Sequence, residues 1–357
     1  MKVLVARCDR LGDLVLSLPA IAWLRRVRPD WEIHALVSPA AAALVEHDPA
    51  VDAFYTWDLT LTDQRRPQLA AERYDGAVLL QYQASLARLL REAGIRRRFG
   101  PLSKPSSLLY LNRGTFQRRS RVARHEADLN VDLMRRLAGR GARGPVPTPR
   151  VHLGPAQDEL AARFRQEEAD DAETVAFVHP GSGGSALDWP PDRFAAVANA
   201  LSRRRGWRVF VTGSHHDRLV IDQMASSLEP QVSVVAERYP LRDFLGVLAA
   251  GDVMLAPSTG PLHLAAALDL AAIGLYPPAP TMSPRRWGAR GRWVETLMPP
   301  VDCPARRYCL FEHCLLYNCL DGIMVSGVVD ATVALADRRR NERQAERTLQ
   351  TSKDERS

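Results

Sequence analysis

Short β-rich runs alternate with helix-forming stretches through the first half of the chain, break off between Gly139 and His152, and then start again. This pattern predicts an α/β protein with two doubly wound parallel sheets, because a strand, a helix and a second strand in succession return the chain in the same direction. The first series is expected to place strands near Val3 to Ala6, Glu32 to Val37, Ala53 to Thr56, Gly76 to Leu80 and Ile95 to Phe99. Its helices are expected over Leu14 to Val27, Ala40 to Glu46, Ser85 to Glu92 and Glu126 to Ala138. The second series predicts strands at Thr174 to Val178, Trp207 to Thr212, Val232 to Val235, Val253 to Leu255 and Ala271 to Leu275. Helices are expected there over Asp192 to Arg204, Asp217 to Leu228, Leu241 to Ala250, Pro261 to Leu268 and Val325 to Asp337. The domains are therefore expected at 1–150 and 151–337, followed by a polar, arginine-rich tail at 338–357 that should be disordered.

A length of 357 residues suits two cores better than one. With 46% hydrophobic and 25% charged residues, there is enough apolar material for two buried sheets. No apolar run reaches the roughly 18 to 20 residues that cross a bilayer. Arg7, Asp9 and Arg10 come too early for a secretory leader, so a cytoplasmic location is expected. The net charge of +7 is carried by arginine, since Lys2, Lys104 and Lys353 are the only lysines. A compositional bias toward arginine accounts for the total, while selected clusters suit a phosphorylated ligand, because guanidinium groups grip phosphate in pairs of hydrogen bonds. Nucleic acid is not the expected partner, because no helix-turn-helix, zinc finger or aromatic RNA-binding signature accompanies the charge. Gly139, Gly141 and Gly144 match the spacing of a dinucleotide fingerprint, but they follow a helix and lead into Pro145, Pro147 and Pro149, so they read as linker.

Ligands of open parallel sheets sit beyond the carboxyl ends of the strands, which singles out three turns. The first, Arg7 to Asp13, brings Arg10, Gly12 and Asp13 to the start of a helix. Asp13 either caps that helix or, kept ionised by the helix dipole, serves as a general base for a hydroxyl. The second turn, His179-Pro180-Gly181-Ser182-Gly183-Gly184-Ser185, has glycines enough for backbone N–H groups to surround an anion. The third, Ser258-Thr259-Gly260-Pro261-Leu262-His263, opens a helix at Pro261 and reads as a diphosphate seat, with His263 either structural or in contact with the ligand. Thr212 and Gly213, at the end of a neighbouring strand, complete the expected donor set.

Together these motifs, with Arg286-Trp287-Gly288, resemble the heptosyltransferase-like members of glycosyltransferase family 9 over nearly the whole chain. The resemblance implies a GT-B architecture, two Rossmann-like domains facing across a cleft, with acceptor on the first domain and nucleotide sugar on the second. It implies an inverting transfer with Asp13 as the base, a donor such as ADP-heptose, and a lipopolysaccharide core acceptor. The lipid-linked acceptor would lie at the inner membrane surface, giving peripheral membrane association, with Arg97, Arg119 and Arg121 alongside Arg10 and Gly12 as acceptor contacts. Two departures stand out. Many members carry lysine two residues before the Trp-Pro pair, where this chain has Leu187, and many carry aspartate before Ser-Gly in the late motif, where this chain has Pro257 and Ser258. A binding protein without turnover, or a transferase for another nucleotide sugar, is the alternative that these departures raise.

No Asp-x-Asp triplet is present, so no metal and no cofactor is expected, and backbone amides with arginine would meet the diphosphate charge. Arg285 and Arg286 are the nearest such cations. Cys303, Cys309, Cys314 and Cys319 lack the paired short spacing of zinc ribbons and read as reduced, partly buried thiols.

Overall fold

The computed structural model describes residues 1–354 with the exception of 140, 185, 186, 306, 307 and 317. The chain forms two compact units, Met1–Gly154 with Arg285–Trp287, and Pro155–Pro284 with Gly288–Ser357.

The first unit is built on β1 (Lys2–Arg7), β2 (Glu32–Val37), β3 (Ala53–Thr56), β4 (Gly76–Leu79), β5 (Arg98–Pro101) and β6 (Arg113–Thr115). They form one parallel sheet in the order β3-β2-β1-β4-β5-β6. The second unit holds β7 (Thr174–Val178), β8 (Trp207–Val211), β9 (Val232–Val234), β10 (Val253–Pro257), β11 (Ala271–Leu275) and β12 (Val294–Leu297). Their order is β12-β11-β10-β7-β8-β9, again all parallel. Read from its own first strand, each sheet has the doubly wound order, with the direction of winding reversing between β1 and β4 and between β7 and β10.

Helices cover both faces of such a sheet, so its central strands are apolar throughout rather than alternating. In β1, Val3 and Val5 pack with Trp23, Phe99, Val131 and Met134, whereas Leu4 and Ala6 pack on the opposite face with Leu36, Leu79 and Leu90. The two-residue period of a strand thus feeds both cores from one short run. All five residues of β7, β10 and β11 are likewise buried.

Several elements depart from the sequence expectation for identifiable reasons. The helix expected over Leu14 to Val27 is two, Leu11–Val15 and Leu18–Val27. Pro19 cannot donate a backbone hydrogen bond, and the Ser17 hydroxyl donates to the Asp13 carbonyl at 2.7 Å where the chain bends. The helix expected from Ala40 is a 3₁₀ turn, Pro39–Leu44. Helices Thr62–Ala71 and Pro155–Glu168 were not expected, and their burial explains why: the first buries only Leu69, the second only Gln157 and Phe164. Neither shows an apolar stripe to read.

The tail expected to be disordered from 338 is instead the continuation of a helix, Val325–Asp354. Its charges find partners: Arg292 pairs with Glu342 and Glu346, Arg339 with Asp252, and Arg343 with Asp269. Among the described residues, no helix is long and apolar enough to cross a membrane.

Candidate functional site

In the first unit the reversal point between β1 and β4 carries a network of opposite charges. Arg7, the last residue of β1, is almost fully buried and donates from Nε to Asp9 and from a terminal nitrogen to Asp13, both at 2.6 Å. Its other terminal nitrogen reaches Glu126 at 3.2 Å. Glu126 is the first residue of the helix Glu126–Ala138, has no exposed surface, and also accepts from Arg119 and from Arg286 at 3.3 Å. Arg119 is fixed in turn by the Leu80 carbonyl at 2.7 Å, Gln117 at 2.8 Å and Asn130 at 3.2 Å. Three buried or half-buried guanidinium groups therefore balance three carboxylates.

Electrostatics separates those carboxylates. Burial pushes the Asp13 carboxyl up to about 6, with Arg7 opposing and Asp9 and Glu126 adding to the rise. Burial acts on Glu126 in the same direction, but Arg119, Arg7 and Arg286 together hold it below the ordinary value. Burial would lower the Arg7 pKa, and Asp9, Asp13 and Glu126 outweigh it, so this guanidinium stays charged. Asp13 does not cap the helix that contains it: the N-cap is Arg10, and no side chain caps there. Nor is its carboxyl an ordinary ionised group, as a helix-start position alone suggested, since burial makes it a better proton acceptor near neutrality.

In the second unit, the turns after β7 and β10 lie on adjacent strands at the reversal point, where Val253 stands beside Ala176 in the parallel register. The His179 amide donates to the Leu255 carbonyl at 2.9 Å, which ties the two strand ends. Gly183 and Gly184 have φ of +52° and +71°, and a side chain on either would meet open space. Positive φ at both positions is open to glycine, and the N–H groups of such a turn can line an anion-binding concavity. Ser182 is buried and donates to Asp188. Ser185 lies outside the described residues.

Beneath this loop, His179 is buried, with Nδ1 3.1 Å from the Thr212 hydroxyl and Nε2 3.7 Å from Asp217. Burial lowers its pKa, with Asp217 opposing, which favours the neutral ring. Asp217 is held by the amide and hydroxyl of Ser214 at 2.8 and 2.7 Å. A β-carbon on Gly181 would fall 1.8 Å from its Oδ1. Gly181→Ala should therefore destabilise the chain by about 1–3 kcal/mol, by overpacking against a fixed carboxylate. Urea unfolding reads this directly, and an unchanged midpoint would contradict it.

The helix Gly260–Ala267 begins with Thr259 as N-cap and Pro261 in its first turn, leaving its first N–H groups without a side-chain cap. The Thr259 hydroxyl turns back to the Pro257 carbonyl at 3.2 Å, and Ser258 bonds Tyr276. Of the expected donor residues, Ser182, Gly183, Gly184, Ser258, Thr259, Gly260 and Pro261 thus gather at two neighbouring strand ends. Thr212, Leu262 and His263 are buried, and Gly213 packs closely against Ile221. Of the expected acceptor residues, Arg10, Arg97 and Arg121 are exposed, while Arg119 is bound into the Glu126 network. Arg286, expected near a diphosphate, also belongs to that network and lies over the Trp287 ring at 4.4 Å.

Glu126 and Arg7 were not singled out from sequence. Arg7 stood inside the first motif as a candidate signal, but Glu126 read only as a helix start. Leu187 packs against the second core and lines a small pocket with the four clustered cysteines. Those cysteines are free thiols, and burial, then Cys309, Cys303 and Cys314, raises the Cys319 pKa. Among the described residues, no three His, Cys, Asp or Glu side chains are arranged to hold a metal.

Two doubly wound parallel sheets, one in each unit, make up the GT-B type of architecture. E. coli ADP-heptose lps heptosyltransferase II superposes with a TM-score of 0.79 at 20% identity, covering 95% of this chain and 99% of that one. E. coli heptosyltransferase WaaC with ADP gives 0.71 at 19% identity, over 94% and 100%. In sequence, a Haemophilus influenzae protein named only as a glycosyltransferase is 31% identical over 296 residues, 80% of this chain and 85% of that protein. Lipopolysaccharide heptosyltransferase 1 of Pseudomonas aeruginosa is 27% identical over 332 residues, 88% and 87% of the two chains. The model of glycosyltransferase family 9 (heptosyltransferase) matches residues 64–303, and the chain belongs to that family.

Proposed function

We propose that this enzyme moves a heptose, or a closely related sugar, from ADP-heptose to a sugar of the lipopolysaccharide inner core, with inversion and without a metal. The first unit receives the acceptor and the second the nucleotide sugar. The acceptor hydroxyl attacks the anomeric carbon, its proton passes to the Asp13 carboxylate, and the bond from that carbon to the diphosphate breaks. The nucleoside diphosphate leaves with the electron pair, its charge met by N–H groups of the loop around Gly183 and of the helix start at Gly260. Arg10, Gly12, Arg97 and Arg121 would contact the acceptor, and the enzyme would work at the cytoplasmic face of the inner membrane.

The observation that carries this reading is Asp13 itself: a mostly buried carboxyl, raised to about 6, held by Arg7 at 2.6 Å at the end of β1. A base must be ionised to act, so kcat/KM should fall as pH drops through about 6, at a higher pH than the value near 4 at which an exposed aspartate would be lost. A profile flat from pH 7 to about 4.5 would remove Asp13 from the role.

Incubating the purified chain with labelled ADP-heptose and inner-core acceptor tests the reaction, with product and ADP as readouts. Leu187 in place of a cation favours one other reading, a protein that holds donor without turnover, which would retain label and release no nucleotide. Thermal shifts against ADP, UDP and GDP test the donor class separately, since a ligand at about 100 times its Kd stabilises by about 2.7 kcal/mol.

A further inference from the structure

From Ala93 to His125 the chain has nine lysines and arginines and not one aspartate or glutamate. This segment contains β5 and β6, and β6 is the edge strand of the first sheet. Three of the nine are engaged: Arg98 donates to the Tyr110 and Ile95 carbonyls, Arg119 to Glu126, and Arg124 to Asp132. The other six, Arg96, Arg97, Lys104, Arg113, Arg118 and Arg121, are exposed and make no ion pair among the described residues. The same edge exposes large apolar side chains, Leu108 at 59%, Leu109 at 66% and Phe116 at 76%. Leu108 and Leu109 sit side by side on the short helix Ser107–Tyr110, and Ser107 at its start and Leu111 just after its end are buried, so the pair is held outward.

An apolar tip inside a ring of one charge sign is the combination that binds a lipid surface: the apolar groups enter the headgroup layer and the cations meet its phosphates. Single-stranded nucleic acid would stack bases on aromatic rings, and Phe116 is the single exposed ring among the described residues of this segment. We propose that the β5 and β6 edge of the first unit docks on an anionic bilayer, with Leu108, Leu109 and Phe116 inserted and Arg96, Lys104, Arg113 and Arg118 binding lipid phosphates. This gives a place on the molecule to the membrane association of the transferase reading, on which the choice of a lipid partner rests.

Sedimentation of the full chain with vesicles tests the proposal, comparing phosphatidylcholine alone with phosphatidylcholine containing phosphatidylglycerol. Binding should be at least about tenfold tighter to the anionic vesicles and weaken with added salt. Lys104→Gln/Arg113→Gln/Arg118→Gln should lower that affinity on the order of a hundredfold. Leu108→Ser/Leu109→Ser/Phe116→Ser should lower it at least about tenfold, with an unchanged melting temperature. Equal binding to neutral vesicles, no binding to either, or an undiminished apolar variant would overturn the proposal. So would binding of a single-stranded oligonucleotide in place of vesicles. The apolar variant should keep wild-type turnover on a soluble, delipidated acceptor. If the wild type binds anionic vesicles yet turns over no acceptor with any nucleotide sugar, the transferase reading fails and the docking surface stands.

Discussion

Asp13→Asn should lower turnover by about 10²- to 10⁴-fold, the usual contribution of a positioned general base. The substitution keeps the side chain's size and an oxygen that can accept from Arg7, while Asp9 and Glu126 still balance that guanidinium. The loss should therefore appear in kcat, with melting temperature and donor affinity nearly unchanged. Steady-state kinetics alongside calorimetric titration with ADP separates the two quantities. Turnover within about threefold of wild type would show that no base is needed at this position.

Glu126→Ala should have the largest effect on folding. It removes a fully buried carboxylate and leaves Arg7, Arg119 and Arg286 crowded around the vacated place. Breaking a buried ion pair by deleting one partner costs about 3–5 kcal/mol, because the remaining charge loses its compensation. Urea denaturation followed by circular dichroism measures it, and a loss under about 1 kcal/mol would mean that water or a rearranged carboxylate replaces Glu126. Glu126→Gln is the milder probe. It removes a negative charge that helps raise Asp13, so the acid limb of the rate profile should move to lower pH. A purely structural role for Glu126 would change stability and leave the limb in place.

The fold was legible where burial writes a pattern. β7, β11 and the helix Glu126–Ala138 appear at the expected residues, because strands buried on both faces and an amphipathic helix closing at Gly139 leave continuous signatures. Thr62–Ala71 left none, since a helix with one buried side chain has no stripe. The long final helix is hard to read from sequence because its many charges look self-repelling in one dimension, and their partners Asp252, Asp269 and Arg292 lie far away in sequence. The site divides in the same manner. Its glycines and helix starts are local features and could be read from the motifs. Convergence of Glu126 on Arg7 spans 119 residues and depends on a sheet whose strand order no local pattern reports.

The first unit is not one continuous piece of chain, since it draws Arg285–Trp287 from far along the sequence. A fragment ending at Gly154 would carry every strand of the first sheet and still lack one of the three cations that neutralise its most deeply buried acid. The boundary that looks like a natural place to cut would thus yield a piece with an unbalanced interior, and anyone dividing this protein would do better to keep it whole.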